Sequence, residues 1–420
     1  MKSTSYSIFA LTVAMSVGAF ASSSELLSRP AGIKVGQHMT LRPYVSLSYT
    51  YDSNVDSSKH SKAGSCWVVN PGLGAEYKSE NWQISGNVWY QYHAYNHYVN
   101  QLNESSFGED LAFKWTNSRP NERGWSLMVS EAFSQVAQDD DMTDHNGRGI
   151  GRDRKTFEVA GVLERRINEY WHAAADASYY WLDYDNNVDK YAPLYGWKRT
   201  VAGGEIGFAP SKWTDFILAG NYQWYTCDNC RDRYDYGGRY SRDSRGWTVM
   251  GGIATRATER ISYRLLTGWS RFEFADATSK EDGWTYQLSG KWQLDDEGTW
   301  STMALASSYY QPSEREYGSA IRVDSFSWGL AHSMVRGKLS ATADVCYRRE
   351  DHTYSYDGNA GDYTDDIFTG RLALNYSLNR FLQLFGSVEY QFDNCSGGEA
   401  GRRDYDYDRF RGTVGLRLTY

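Results

Sequence analysis

The stretch FRGTVGLRLTY, from Phe410 to Tyr420, sets the strongest limit on what this chain can fold into. Val414, Leu416, Leu418 and Tyr420 recur at every second position, with Arg411, Thr413, Arg417 and Thr419 among the residues between them. A period of two makes a strand with one apolar and one polar face, because successive side chains leave opposite sides of the backbone. Such a strand suits a soluble sheet, with a core on one side and water on the other. It equally suits a membrane barrel, with lipid outside and a wet lumen inside.

The same rhythm runs from about residue 41 to the end. YVSLSYTYD sets Val45, Leu47, Tyr49 and Tyr51 against Ser46, Ser48 and Thr50. WQISGNVWYQY sets Trp82, Ile84, Val88, Tyr90 and Tyr92 against Gln83, Ser85, Asn87, Trp89 and Gln91. Trp171 to Trp181, Phe368 to Leu378 and Leu382 to Phe392 repeat it, and the aromatic residues flank smaller aliphatic ones. Aromatic residues make up 16% of the 420, yet the mean hydropathy is −0.65. After residue 21 no segment approaches the ~18 consecutive apolar residues of a spanning helix. A barrel needs only alternate apolar residues, with aromatic girdles at both interfaces.

Connections separate into two kinds. KSENW, RRINEY, APSKWTD, ATERI, LDDEGT, MVRGK and LNRF are short turns, and long polar stretches alternate with them. Short turns on one rim and long loops on the other are expected of a transmembrane antiparallel up-and-down barrel. About nine long loops imply about eighteen strands, or sixteen if the segments near 124–136 and 283–293 are not strands. A soluble sandwich or solenoid would show a fixed repeat or two-faced apolar strands. Neither occurs, and the polar face carries charge throughout.

Lys2, the apolar run Ile8 to Phe20 and the small-residue site at Ala19 to Ala21 read as a secretory signal, with cleavage placed after Ala21. Residues 22–40 are then a periplasmic segment and 41–420 an all-β barrel in the outer membrane of a Gram-negative cell. The net charge of −8 argues against a nucleic-acid partner.

Two resemblances follow from these residues. The last strand resembles the assembly signal of outer-membrane barrels, which implies recognition of Val414, Leu416, Leu418 and Tyr420 by the insertion machinery. VSLSYTYDSNV and the segment WVVNPGLGAEYKSENWQISGNVWYQYHAYN that follows it resemble the opening of the putative β-barrel porin-2 family, through Tyr51, Asp52, Asn54, Pro71, Gly72 and Tyr90 over roughly residues 40–115. The resemblance implies an exported barrel associated with exopolysaccharide loci. The five cysteines and the acidic run Asp139 to Asp141 depart from that pattern.

By alternation, Arg264, Lys338, Asp344, Arg348, Arg371, Glu389, Arg409, Arg411 and Arg417 face the lumen. There the arginines either favour anions and acidic sugars or pair with carboxylates such as Glu389 and brace the wall. Trp89 and Phe385 also point inward, to stack on sugar rings or to fill space. Cys227 and Cys230 are expected to brace a loop as a disulfide, and Cys66 with Cys395 to lock the closure seam, leaving Cys346 as the odd thiol. The acidic runs QDDDMTDHN and YTDDIF lack the spacing of a dedicated calcium loop. No metal, cofactor or catalytic motif is expected. A channel for small solutes or exopolysaccharide is the first functional reading. The alternative is a plugged structural or surface-interaction barrel, in which the loop from Val136 to Lys155 folds inward or stands outward.

Overall fold

The computed structural model describes residues 32–55, 63–96, 104–117, 124–136, 154–184, 196–227, 243–274, 280–295, 298–310, 321–334, 338–352, 363–397 and 406–420. Among them there is no helix. The strands are β1 (Ile33–Val35), β2 (Met39–Asp52), β3 (Gly64–Lys78), β4 (Trp82–Tyr95), β5 (Glu104–Thr116), β6 (Gly124–Val136) and β7 (Arg154–Arg166). They continue as β8 (Trp171–Tyr184), β9 (Trp197–Phe208), β10 (Thr214–Cys227), β11 (Ser244–Thr255), β12 (Ile261–Phe274) and β13 (Lys280–Gln293). The last six are β14 (Trp300–Tyr310), β15 (Ile321–Met334), β16 (Leu339–His352), β17 (Tyr363–Ser377), β18 (Leu382–Gly397) and β19 (Tyr407–Thr419).

Each strand from β2 onward pairs antiparallel with the next, and β19 returns to pair with β2, Arg411 opposite Asp52 and Thr419 opposite Tyr44. The result is a closed barrel of 18 strands, β2 to β19, and closure leaves no long edge unpaired. The two segments in question, near 124–136 and 283–293, are the strands β6 and β13. β2 starts at Met39 rather than at residue 41, with β1 paired to its first residues.

Four of the short turns share one local device. A side-chain oxygen of Asn, Ser or Thr accepts the backbone N–H groups two and three residues on. Asn168 does so for Tyr170 and Trp171, Ser211 for Trp213 and Thr214, Thr258 for Arg260 and Ile261, and Asn379 for Phe381 and Leu382. The device delivers an aromatic or aliphatic residue to the start of the next strand, where Trp171, Trp213 and Phe381 contribute to one girdle.

The outward face is apolar at mid-strand. Leu218, Leu372 and Val414 are 59%, 56% and 60% exposed, a surface that only hydrocarbon or another protein tolerates over so wide a band. Tyr51, Trp67, Tyr92, Trp224, Trp247 and Phe410 ring the end that bears the long loops, and Trp82, Trp171, Trp213 and Trp292 ring the other.

The lumen is not uniformly wet. Between β9 and β14 the wall curls tightly on itself. Gln223 of β10 donates to the carbonyl of Tyr309 on β14 at 3.3 Å, although four strand spacings on a flat sheet span about 19 Å. Ile217, Ala219, Met250 and Leu266 fill the inside of the curl, and Tyr225, Phe272 and Tyr309 close it toward the loops. Gly252 and Gly268 face this interior. A Cβ on either would run into a neighbouring strand, at the carbonyl oxygens of Leu265 and Val249. Alternation predicts which side chains point inward, but the curvature that lets them pack against one another is not visible in a single strand.

Candidate functional site

The opposite arc, β16 through β19 and β2 to β4, encloses a polar cavity of about 510 Å³. Cross-strand register assembles its charge. Asp344 lies opposite Arg371, Arg371 opposite Glu389, Glu389 opposite Arg411, and Arg411 opposite Asp52. Five adjacent strands thus carry a row in which acid and base alternate, so Arg371, Glu389 and Arg411 each have an opposite charge on either side.

At the row's end Asp52 receives two of the three arginines of β19, Arg409 and Arg411. Arg409 Nε lies 2.9 Å and Nη2 2.5 Å from Asp52 Oδ2, and Arg411 Nε is 3.1 Å from the same oxygen. Asp52 also accepts the backbone N–H of Asn54 at 3.0 Å, and the Asn54 amide donates to the Asp408 carbonyl. The Tyr-Asp-x-Asn turn is therefore the latch of the closure seam. Sequence reasoning had the motif but not its partners, which stand more than 350 positions away.

Four lumen side chains lie flat against a glycine directly opposite on the next strand: Tyr44 on Gly72, Trp89 on Gly108, His172 on Gly207 and Phe385 on Gly415. Any side chain at these glycines would occupy the ring's place. Trp89 and Phe385 therefore neither plug the lumen nor stand across it; they panel its wall. Arg417 sits between two such rings, its guanidinium carbon 5.6 Å from the centroid of Tyr44 and 5.7 Å from that of Phe385, within reach of a cation–π attraction.

The remaining inward charges fall into place around this site. Arg264 is buried on the far arc and holds Glu205 at 2.5 Å, with His172 at 3.8 Å on the other carboxylate oxygen. Arg348 pairs with Glu350 at 2.8 Å. Lys338 shares the inward parity but stands exposed in the turn before β16, on the rim. Arg409, Arg411, Arg264 and Arg348 thus brace the wall. Arg417 has no carboxylate partner among the described residues.

One expectation needs correction. Cys66 lies in β3 and Cys395 in β18, not in loops, and both are thiols along with Cys346. Three strand spacings separate β3 from β18, about 14 Å, whereas a disulfide needs Cα atoms within about 7 Å. YTDDIF is likewise strand, within β17, so Asp365 and Asp366 point to opposite faces and cannot share a cation. Asp366 accepts a hydrogen bond from the Tyr347 hydroxyl at 2.6 Å. Cys230, the Asp139 to Asp141 run, the signal segment and the loop after Val136 lie outside the described residues; Cys227 ends β10.

At the rim that bears the short turns Asp295, Thr299 and His332 are joined through the Thr299 hydroxyl, which contacts an Asp295 carboxylate oxygen and lies 2.6 Å from His332 Nδ1. Asp295 also accepts the N–H groups of Gly298 and Thr299. The carboxylate orients the hydroxyl and the turn rather than the imidazole, and Thr299 is buried. The arrangement locks a turn and lacks the base-orienting order of a nucleophilic site.

A closed 18-stranded barrel with an apolar outer band, two aromatic girdles and a charged inner wall defines a porin-like protein of the outer membrane. Residues 220–420 match the model of the family described as putative beta-barrel porin 2, so the family resembled by residues 40–115 is met over β11 to β19 and most of β10. No curated protein matches the chain. Similar solved structures include a mutant of the ferric enterobactin receptor of Pseudomonas aeruginosa, at 8% identity and TM-score 0.47, covering 90% of this chain and 80% of that one. The copper transporter OprC is similar at 10% identity and TM-score 0.46, covering 93% and 82%. The FrpB iron transporter of Neisseria meningitidis is similar at 9% identity and TM-score 0.45, covering 92% and 82%.

Proposed function

We propose that the barrel is a channel whose polar arc conducts small hydrophilic solutes and prefers acidic saccharides. The observation that carries this is Arg417 between the rings of Tyr44 and Phe385. A sugar presents a flat C–H face to an aromatic ring and, when acidic, a carboxylate to a guanidinium, which binds it in a planar fork. The rings are laid against glycines, so they offer a face to the lumen without obstructing it. The alternating row beside them holds the wall rigid, and among the described residues Arg417 has no carboxylate partner.

In this reading the chain is exported with its signal removed after Ala21, and Val414, Leu416, Leu418 and Tyr420 guide insertion. An acidic exopolysaccharide or its fragments is the solute class that fits. The test is single-channel conductance in a planar bilayer, with the reversal potential measured under a salt gradient. Steps in the nanosiemens range with anion preference, reduced by an added uronic-acid oligosaccharide, support the reading. Silence from folded, inserted protein sinks it and leaves the plugged barrel.

A further inference from the structure

The rim that bears the short turns holds a cleft that passage through the lumen does not use. It measures about 310 Å³, and its described lining is Asn117, Gly124, Trp125, Arg165, Arg166 and Ile167. Trp125 on β6 stands opposite Arg165 on β7, and both share the outward face with Leu163. Asn117 fixes the backbone of the tryptophan. Its side-chain oxygen accepts the Trp125 N–H at 2.8 Å, and its own N–H donates to the Trp125 carbonyl at 3.1 Å. The Arg165 guanidinium carbon lies 4.8 Å from the indole centroid, so a cation–π contact holds the planar group in place. On its other side Arg165 faces Ala173, which is too short to cover it, and Arg165 is exposed. Arg166 bends over the next turn and donates to the carbonyls of Asn168 at 3.4 Å and Glu169 at 3.2 Å.

The acids nearby do not neutralise this cleft. Glu164 accepts the Ser126 hydroxyl at 3.0 Å on the lumen side. Asp215 of β10 interacts with Arg166, also from the lumen, and Glu169 is exposed in the turn. Among the described residues Arg165 meets no carboxylate. Its surroundings are apolar instead, because Leu163, Ile167, Tyr170 and Trp171 are all exposed around it. Outward aromatic residues at this level mark the boundary between acyl chains and headgroups. A cation there meets phosphates, and a guanidinium takes two phosphate oxygens in its own plane.

We infer that this cleft binds the phosphodiester headgroup of an anionic phospholipid from the leaflet at the short-turn rim, with Arg165 gripping the phosphate and Trp125 holding Arg165 in position. A lipid fits better than a soluble anion because Ile167, Tyr170 and Trp171 give acyl chains a surface beside the cation. An anionic headgroup fits better than a zwitterionic one, whose ammonium would be repelled by Arg165 and Arg166. Lys212 over Trp213 at 4.8 Å and Arg380 over Phe381 at 4.5 Å repeat the cation on a ring at the same rim. Each stacks on its own chain neighbour and lies outside this cleft. The inference rests on the membrane barrel and not on an open lumen.

The test is native mass spectrometry of the full chain, titrated in detergent with phosphatidylglycerol or with phosphatidylethanolamine of the same acyl chains. Wild type is expected to hold one phosphatidylglycerol about tenfold more tightly, the size of one charge-assisted hydrogen bond. R165Q should abolish that preference and W125L should weaken it. R165K should keep only part, since lysine restores the charge without the planar fork. K212Q controls for the general basicity of the rim and should leave the preference intact. Equal binding of the two lipids by wild type overturns the proposal, as does an R165Q that keeps the wild-type preference. Should R165Q fail to fold, an R165K with unchanged preference overturns the planar grip. A loss in K212Q as large as in R165Q overturns it too, because the preference then belongs to the whole rim. Displacement of the lipid by an equal concentration of glycerol phosphate would make the cleft a soluble-anion site and sink the lipid reading. Conductance plays no part in these readouts, so a silent pore leaves the result standing.

Discussion

Arg409 of the last strand grips Asp52 of the first barrel strand through two nitrogens on one oxygen, with both side chains almost wholly buried. The seam of the barrel is thereby closed by charge as well as by backbone pairing. Asp52→Ala leaves Arg409 buried beside Arg411 without its carboxylate, and removing one partner of a buried pair costs about 3–5 kcal/mol. The urea midpoint of the folded barrel is expected to fall accordingly, and Asp52→Asn to fall less. An Asp52→Ala midpoint equal to wild type shows that the seam does not rest on this contact.

Arg417 should set selectivity more than conductance. Arg417→Gln is expected to reduce anion preference in the reversal potential while leaving step size nearly intact. Arg417→Lys should recover part of the preference, since the charge returns but the planar stack on Tyr44 and Phe385 does not. If both variants keep the wild-type reversal potential, Arg417 is a wall brace like its neighbours.

The dry arc depends on close backbone approach. Gly268→Ala places a methyl against the Val249 carbonyl, and Gly252→Ala one against that of Leu265. Overpacking of this kind costs about 1–3 kcal/mol. Each variant should unfold at lower urea with the far arc, around Asp52, still protected in hydrogen exchange. Unchanged midpoints for both would show that the curl accommodates a methyl group at either position.

Tyr420 stacks on Phe381 with centroids 5.6 Å apart and ring planes 21° from parallel, and its N–H donates to the Pro43 carbonyl at 3.1 Å. Tyr420→Ala should cost the folded barrel only about 0.5–1.5 kcal/mol for the ring pair beyond the buried area. If the last strand serves as the assembly signal proposed above, a much larger loss is expected in the amount of barrel assembled in cells, because such a signal acts before folding. Equal losses in the two assays would reduce Tyr420 to a packing residue.

The cysteine geometry predicts that Cys66→Ser and Cys395→Ser migrate on non-reducing gels as wild type does. A disulfide-linked peptide containing both residues in a digest of native protein would contradict the strand placement.

Much of this molecule is local in origin and was therefore legible in the chain. Period-two alternation determines which side chains meet lipid and which the lumen; turn residues and loop lengths determine the strand number; and Val414 to Tyr420 mark the last strand. These depend on neighbours two or three residues apart. What the chain did not disclose depends on strands that meet only after closure. Asp344, Arg371, Glu389, Arg411 and Asp52 form one row because of register, and Tyr44, Gly72, Phe385, Gly415 and Arg417 form one site for the same reason. Register is a sum over every turn between two strands, so no segment carries it alone. The curl of β9 to β14 and the cleft beside Trp125 and Arg165 were likewise decided by the tertiary structure, through curvature and register that belong to the whole sheet.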